Sequence, residues 1–391
     1  MEMRRPPRAL VTDTGDRAGL DAVRTLAAAG YRVTSAATNR KAPGLWSRSC
    51  SVRRIIPDPR DGLDAFVTEL GAIVREDPYD ILIPVRDETL YALSLRRESF
   101  ERYVEMCLPE HKVVERALDK ACLAEEAAKV GLAPPESQIC ADSGQALEVA
   151  RTFGFPVIVK SVQTIVEVDG RVDRFPSRFV TNESEFAEVQ ERTGTCIVQR
   201  REVGKVISFG GVVTERGLLA SVVSRYLRTW PPLAGNATFA ETIAPPGELF
   251  EQIEALMAAM GWRGIFQLEL IEGDDGVIRA IDFNPRPYGS IGLATAAGAP
   301  LVAIWSAWVL GKDPAPVRAR VGVRYRHEEG DARHIAWQLG AGDYRGAVAS
   351  MLPRRGVVHA YAQARDPLPT LYLGAVAARE IAQSVRRRIP R

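Results

Sequence analysis

Two acidic residues in a predicted β-hairpin are the feature of this sequence that most directly suggests chemistry. The hairpin spans residues 266–286, and an Asp275-Gly276 pair between its two halves is a strong signal for a two-residue turn. With that turn, Glu269 lies directly opposite Asp282. Facing carboxylates repel each other, whereas a divalent cation such as Mg²⁺ takes oxygen ligands from carboxylates and amides. The spacing therefore indicates either a metal-binding face or a solvated strand face.

Strand alternation divides the side chains of this hairpin between two faces. The polar face carries Gln267, Glu269, Asp282 and Asn284. The other face carries Phe266, Leu268, Leu270, Ile281 and Phe283. The hairpin is therefore predicted to separate an apolar layer from a polar cleft.

The same residues resemble a known family. Glu269, followed by Asp282-Phe-Asn284-Pro-Arg286 and the small-residue run 289–298, is similar to the metal-binding end of the ATP-grasp superfamily. That group includes carbamoyl phosphate synthetase, biotin carboxylase and many carboxylate–amine ligases. Its usual pattern is an acid on one strand and Glu-x-Asn-x-Arg on the next, so that Asp282 stands where Glu is usual. The likeness covers roughly the first three hundred residues.

The resemblance implies a role for each polar residue of the hairpin. Glu269, Asp282 and Asn284 are the expected metal ligands, and Gln267 is a reserve ligand. Arg286 is expected to contact the γ-phosphate or an acyl phosphate. The resemblance also implies that ATP and Mg²⁺, with Mn²⁺ as the alternative ion, bind at this face.

Two lysines match the nucleotide-binding part of the same superfamily. Lys120 opens a predicted helix that ends near Val130, and Lys160 ends the apolar strand 155–160. The resemblance implies that both lysines reach the ATP phosphates. For Lys120 the alternative is an ordinary solvated helix start. A lysine that ends a buried strand must either extend to solvent or meet an anion, so Lys160 is the more specific signal.

Two further segments correspond to nucleotide-binding parts of the relatives. Residues 161–178 occupy the place of a phosphate-covering loop, but they contain only Gly170 and are predicted to form a β-hairpin with a flexible tip. Glu202 is a candidate for the ribose hydroxyls, with water as the alternative. The strand and hinge that hold the adenine, mainly through backbone groups, are expected at Gln199, Arg200, Arg201, Glu202 and Val203.

A third segment resembles the acceptor-binding insertion of peptide-type ligases. Arg225 and Arg228 precede a Pro- and Gly-containing stretch at 231–238, and this punctuation predicts a long loop. A guanidinium group suits a carboxylate substrate, so both arginines are expected to contribute to catalysis. The alternative is that they are surface arginines on a hairpin.

The elements that must position these residues begin with a strand–helix alternation. Apolar strands at 9–12, 31–35 and 80–85 alternate with helical spacing at 20–29 and 63–75, which predicts a parallel sheet. The fold class is therefore α/β. We expect a Rossmann-like domain at residues 1–105, in front of the ATP-grasp domain. The α+β ATP-grasp domain is expected as two subdomains, at residues 106–195 and 196–312, and a C-terminal extension is expected at residues 313–391.

Composition excludes several other classes of protein. The 391 residues are 46% hydrophobic, and 51 Lys and Arg against 49 Asp and Glu leave a formal charge of +2, which argues against nucleic acid as a partner. The 5 cysteines lack Cys-x-x-Cys spacing and the 4 histidines are dispersed, so we expect neither a zinc site nor a disulfide framework. No signal peptide or membrane-spanning run is recognisable, and a cytoplasmic location is expected.

The expected function is an ADP-forming ligase that joins a carboxylate to an amine through an acyl phosphate, acting on an amino acid or another small metabolite. A homodimer is the assembly to test. Two alternatives stay open: a carboxylating or phosphorylating ATP-grasp enzyme, and a non-catalytic ATP-binding module. The absence of a duplicated synthetase half or a biotin-carrier segment disfavours the first. The full set of metal-site residues disfavours the second.

Overall fold

The computed structural model of the chain describes residues 5–190, 195–352, 354 and 356–375. The parts of the predicted domains at 1–4, 191–194 and 376–391 lie outside the described residues. Within those that are described, no helix is long and apolar enough to cross a lipid bilayer.

The first part of the chain forms the predicted parallel sheet, with strand order β3-β2-β1-β4-β5. Strands at Ala9–Val11 and Ile81–Ile83 are almost completely buried, as expected where helices cover both faces of a sheet. Parallel strands end at the same edge, so the loops that follow β1 and β4 lie side by side. The elements are β1 (Arg8–Val11), α1 (Arg17–Ala28), β2 (Arg32–Ala37), β3 (Val52–Ile55), α2 (Leu63–Glu76), β4 (Ile81–Ile83), α3 (Asp87–Leu95) and β5 (Glu105–Met106).

The next part builds an antiparallel sheet with strand order β10-β7-β11-β6. Helix α5 begins at Lys120, as predicted, because the Asp119 carboxylate accepts hydrogen bonds from the backbone N–H groups of Ala121 and Cys122. The elements are α4 (His111–Leu118), α5 (Lys120–Lys129), β6 (Ser137–Cys140), α6 (Ser143–Phe153), β7 (Val157–Ser161), β8 (Ile165–Val168), β9 (Arg171–Arg174), β10 (Arg178–Val180), α7 (Glu183–Gln190) and β11 (Cys196–Arg200).

The hairpin predicted within residues 161–178 is present as β8 and β9. Backbone hydrogen bonds join this hairpin, including the tip that was predicted to be flexible, to the start of α2 and the loop before it. Leu63 N donates to Gly170 O at 2.9 Å, and Val172 N donates to Pro59 O at 3.1 Å. The hairpin therefore packs against the N-terminal part of the chain.

The remaining elements form a large sheet with strand order β16-β15-β12-β13-β14-β18-β19, and β17 pairs with β13. Residues beyond 312 thus add strands to this sheet, and we call the described residues from 313 onward the C-terminal segment. The elements are β12 (Gly204–Thr214), β13 (Gly217–Trp230), β14 (Asn236–Thr242), α8 (Leu249–Met260), β15 (Gly264–Gly273), β16 (Ile278–Asn284), α9 (Ile291–Ala296), α10 (Leu301–Val309), β17 (Val317–Arg318), β18 (Arg324–Arg326), α11 (Glu328–Gly340), α12 (Tyr344–Met351) and β19 (Val357–His359).

The long loop predicted around Arg225 and Arg228 is wrong. Both residues lie in strand β13, which pairs with β14 in an antiparallel hairpin, and only residues 231–235 connect the two strands. The Pro and Gly residues mark the tip of this hairpin. The alternative left open by the sequence, arginines on a hairpin, is therefore the observed one.

The β15–β16 hairpin pairs Glu269 with Asp282 as predicted, but its turn and its register near the turn differ from the prediction. The turn is one residue longer than the two-residue turn expected: Gly276 N donates to Gly273 O, and Gly276 takes a positive φ of 76° that glycine adopts easily. A β-bulge between Leu270 and Glu269 then shifts the register back by one residue.

The apolar face of this hairpin packs in the core, with one exception. Phe266, Leu268, Leu270 and Phe283 are buried, and each such side chain contributes about 1.5–3 kcal/mol of stability by leaving water. Because of the bulge, Ala280 occupies the buried position expected for Ile281. The apolar face thus anchors the hairpin in the core, and the polar face on the other side is left for the site.

Candidate active site

The four polar side chains of the β15–β16 hairpin lie together, as their spacing predicted. Gln267 pairs with Asn284 and Glu269 pairs with Asp282 across the two strands. The Asn284 Nδ2 group donates to Gln267 Oε1 at 3.2 Å, and the Tyr226 hydroxyl donates to Glu269 Oε1 at 2.7 Å. Sequence reasoning did not identify Tyr226, which comes from the neighbouring part of the sheet.

The two facing carboxylates have opposite electrostatic environments. Burial and the negative charge of Asp282 raise the pKa of Glu269 to about 7. Burial also acts to raise the pKa of Asp282, but the charges of Lys120 and Lys160 outweigh it, and the Asp282 pKa is lowered. The two lysines thus favour the ionised form of both acids, but they outweigh the effect of burial only at Asp282.

Lys120 and Lys160 converge on strand β16 from two different elements. Lys120, at the first turn of α5, places Nζ 2.5 Å from Asp282 Oδ1. Lys160, near the end of β7, donates from Nζ to Ile281 O at 2.8 Å and is only 8% exposed. Burial and the neighbouring Lys120 charge lower the pKa of Lys160 to about 8. Two ammonium groups whose charges act on each other favour a bound anion beside them.

The arrangement fits a hard divalent cation. Glu269 and Asp282 offer carboxylate oxygens, Asn284 offers an amide oxygen, and oxygen ligands of this kind are preferred by Mg²⁺. Burial and the negative charge of Asp282 both disfavour the ionised form of Glu269, and a bound cation would favour it.

Arg286 forms a buried salt bridge that the sequence did not reveal. Its Nε and Nη2 atoms donate to the two carboxylate oxygens of Asp87 at 2.7 and 2.8 Å, and Asp87 is only 3% exposed. Nη2 also donates to Asn284 Oδ1 at 3.1 Å. Arg286 thereby joins the polar hairpin to the first residue of α3.

Arg228 and Arg225 are not brought to the acid face. Arg228 donates to both carboxylate oxygens of the buried Asp331 at 2.6 and 2.9 Å. Arg225 lies across from Ile207, which pairs with Leu270, so its side chain belongs to the apolar face of the sheet. The expectation that these arginines bind the substrate is not supported by their positions.

The predicted adenine hinge connects β11 to β12, and its side chains are largely engaged elsewhere. Gln199 is buried and donates to a backbone carbonyl, whereas Arg200 is exposed and paired with a glutamate. Arg201 lies over a phenylalanine ring, and Glu202 lies 3.6 Å from an arginine of β16. Val203 is 55% exposed. A ligand bound at this connection between β11 and β12 would therefore be recognised mainly by backbone groups.

A cavity of 340 Å³ adjoins the Arg286–Asp87 salt bridge. Its walls come from the loops that follow β1 and β4, the hairpin β8–β9, and the C-terminal segment. Asp87 and Arg17 line it, and sequence reasoning identified neither. Their positions just after strands of a parallel sheet were a usable signal, because ligands bind at the carboxyl edge of such sheets.

Sequence comparison relates the chain to a much larger protein. No family model matches it. The carbamoyl phosphate synthase large chain of Archaeoglobus fulgidus is 23% identical over 326 residues, which is 76% of this chain but 28% of that relative. The chain thus spans little more than a quarter of the length of this curated relative.

Comparison with solved structures finds the same fold in other proteins. The biotin carboxylase domain of Hydrogenobacter thermophilus 2-oxoglutarate carboxylase, solved as a dimer with MgADP and bicarbonate, gives a TM-score of 0.61 at 16% identity, covering 82% of this chain and 73% of that one. An L-amino acid ligase from Bacillus licheniformis gives a TM-score of 0.57 at 14% identity, covering 78% and 75%. These similarities establish a shared fold.

Proposed function

We propose that this chain, which belongs to the ATP-grasp superfamily by its fold, is an ATP-dependent ligase that forms ADP and joins a carboxylate to an amine. The observation that carries the proposal is the convergence of Lys120 and Lys160 on the Glu269–Asp282 pair. Two cations beside two acids suit a phosphate chain held with a divalent metal ion. The ligase and carboxylase among its structural relatives support the same class of reaction.

Each residue of the hairpin has a proposed role. Glu269, Asp282 and Asn284 hold Mg²⁺, with Mn²⁺ as the alternative, and Gln267 fixes Asn284 through its amide. When bound, the ion neutralises charge on the transferred phosphoryl group. Tyr226 holds the Glu269 carboxylate in place.

The basic residues bind and orient the phosphates. Lys120, which lies beside Asp282, and Lys160, near the end of β7, would hold the nucleotide phosphates. Arg286 keeps its salt bridge to Asp87 and presents its remaining N–H to the reacting phosphoryl oxygens. The backbone of residues 199–203 holds the adenine.

The reaction needs no nucleophilic side chain. The substrate carboxylate oxygen attacks the γ-phosphorus and ADP leaves, which gives an acyl phosphate. The amine nitrogen then attacks the acyl carbon, phosphate leaves, and the nitrogen loses a proton. The residues of the site bind, orient and exclude water, which is the main work of phosphoryl-transfer enzymes.

The domain organisation proposed for this function follows the sequence. Residues 1–105 form a Rossmann-like domain that contributes to the acceptor side. Residues 106–195 and 196–312 form the two ATP-grasp subdomains, and 313–391 form the C-terminal extension. The partners are small-molecule carboxylate and amine substrates, and the assembly is a homodimer.

Trapping of the acyl phosphate tests the function directly. With ATP, Mg²⁺, pooled carboxylic acids and hydroxylamine, we expect a hydroxamate together with ADP and phosphate, because hydroxylamine intercepts an activated acyl group. The products are measured by chromatography and mass spectrometry. AMP and pyrophosphate would indicate adenylation instead, ADP without phosphate would indicate a kinase, and unchanged ATP would indicate a binding module.

Lys160→Met tests whether Lys160 binds the phosphates of ATP. We expect ATP to bind roughly tenfold or more weakly, because a charged hydrogen-bond donor is lost from a buried site, while adenosine binding stays unchanged. Isothermal calorimetry measures both ligands. The exposed Lys129→Met is the matched control and should bind both normally. Equal weakening of ATP and adenosine would mean that Lys160 has a structural role only.

A further inference from the structure

The 340 Å³ cavity beside Arg286 is large enough for a small metabolite, since ligand pockets usually begin at about 300 Å³. It is lined by charged and polar side chains from segments far apart in the chain. Among them are Asp16 and Arg17 at the start of α1, and His327 and Tyr361 of the C-terminal segment. A polar cavity of this kind selects a ligand by charge, so the pairing of its charges decides what it binds.

Most charged groups of the cavity already have partners. Arg174 and Arg286 both lie within ion-pair distance of Asp87, at 3.4 and 2.7 Å. Arg86 lies 2.9 Å from Glu88. Each of these groups therefore has an oppositely charged partner within the wall.

Two more acids of the wall are also paired. Asp16 lies 3.8 Å from Arg86, and Glu329 lies 2.6 Å from Arg333. The acids of the wall therefore do not offer a free negative charge to a cationic ligand.

Arg17 is the exception. Throughout the described residues, no carboxylate lies within ion-pair distance of its guanidinium group, which makes only a long 3.4 Å hydrogen bond to Ala237 O. Its position depends on Gly289: a Cβ atom there would lie 2.7 Å from Arg17 Nε and Nη2. A guanidinium group packed against backbone and left without a counter-ion favours an anion in the cavity.

The C-terminal segment places uncharged groups next to Arg17. Burial, together with the positive charge of Arg17, lowers the pKa of His327 to about 3, so this imidazole is neutral near pH 7. Burial raises the pKa of Tyr361 to about 12, so its hydroxyl stays protonated. Neither group neutralises Arg17, and both can hydrogen-bond a ligand.

We infer that Arg17 binds a second anionic group of the substrate, so that the acid activated beside Arg286 is a small molecule with two anionic groups. The inference rests on the proposed function for the reacting carboxylate. A guanidinium fork matches a carboxylate or a phosphate with two parallel hydrogen bonds. The C-terminal segment, through His327 and Tyr361, restricts which such molecules fit.

Calorimetric titration with three probes tests the inference. Succinate and 3-phosphonopropionate carry two anionic groups, whereas succinamate has a neutral amide at its second end. Each is titrated into the full chain, with and without Mg²⁺ and a non-hydrolysable ATP analogue. We expect at least one dianion to bind about tenfold or more tightly than succinamate, because a hydrogen bond between two charged groups adds about that much affinity. The tighter dianion identifies the second group as carboxylate or phosphate.

Arg17→Gln should abolish this preference, whereas Arg216→Gln, an exposed arginine paired with Asp313, should retain it. Gly289→Ala should also reduce it, because the added Cβ displaces the guanidinium group of a retained Arg17. A preference unchanged in Arg17→Gln, or no saturable binding of any probe to the wild-type chain, would overturn the inference. Failure to bind the ATP analogue would instead count against the ligase proposal. The titration without nucleotide still measures binding of the three probes to the cavity, so the two proposals can fail separately.

Discussion

Asp282→Ala is expected to lower the rate of ADP formation by roughly 10²-fold or more, because it removes an electrostatic group that acts on the reacting phosphates. The folded structure should persist, since the Asp282 side chain is 33% exposed and lies on the polar face of the hairpin. Steady-state turnover at saturating Mg²⁺ and ATP measures the first effect. The urea midpoint measures the second.

Asp275→Ala is the matched control, because Asp275 is an acid at the turn of the same hairpin whose side chain is 51% exposed and paired only locally with Arg279. Its turnover should equal that of the wild-type chain. Near-wild-type turnover of Asp282→Ala would remove the proposed metal site. Equal loss in both variants would mean that the hairpin as a whole, and not the charge of Asp282, governs activity.

Arg286→Gln is expected to destabilise the fold by about 3–5 kcal/mol, the usual effect of removing one partner from a buried ion pair. Asp87 is 3% exposed, and its remaining cation, Arg174, is 3.4 Å away. Burial acts to raise the pKa of Asp87, but the Arg286 charge helps to lower it, so the variant leaves a buried acid whose remaining ion-pair partner, Arg174, is 41% exposed. Urea denaturation followed by circular dichroism measures the loss.

Arg151→Gln provides the contrast. Arg151 contacts Glu183 with the same bidentate geometry, at 2.8 Å for both bonds, but more than half of each side chain is exposed. Water and salt screen such a pair, so the urea midpoint should hardly change.

The double variant Asp87→Asn/Arg286→Gln should recover much of the lost stability, because no buried charge is left unpaired. Failure to recover would show that the salt bridge is not the cause.

The sequence determined the local geometry of the site because that geometry follows from the period of a strand and from helix caps. The two-residue period put Glu269 and Asp282 opposite each other, and Asp119 fixed the start of α5 at Lys120. Even so, the facing acids were predicted from the wrong turn. A longer turn and a bulge, which shift the register in opposite directions, produced the same pairing.

Only the tertiary structure decided which arginines are available to a ligand. Arg228 pairs with Asp331, and Arg286 pairs with Asp87, across separations of 103 and 199 residues. Arg17 is left without a carboxylate among the described residues and faces the cavity. A strand period or a motif specifies the face on which a charge lies. Its partner is chosen by the packing of distant segments, and no local pattern in the sequence records that choice.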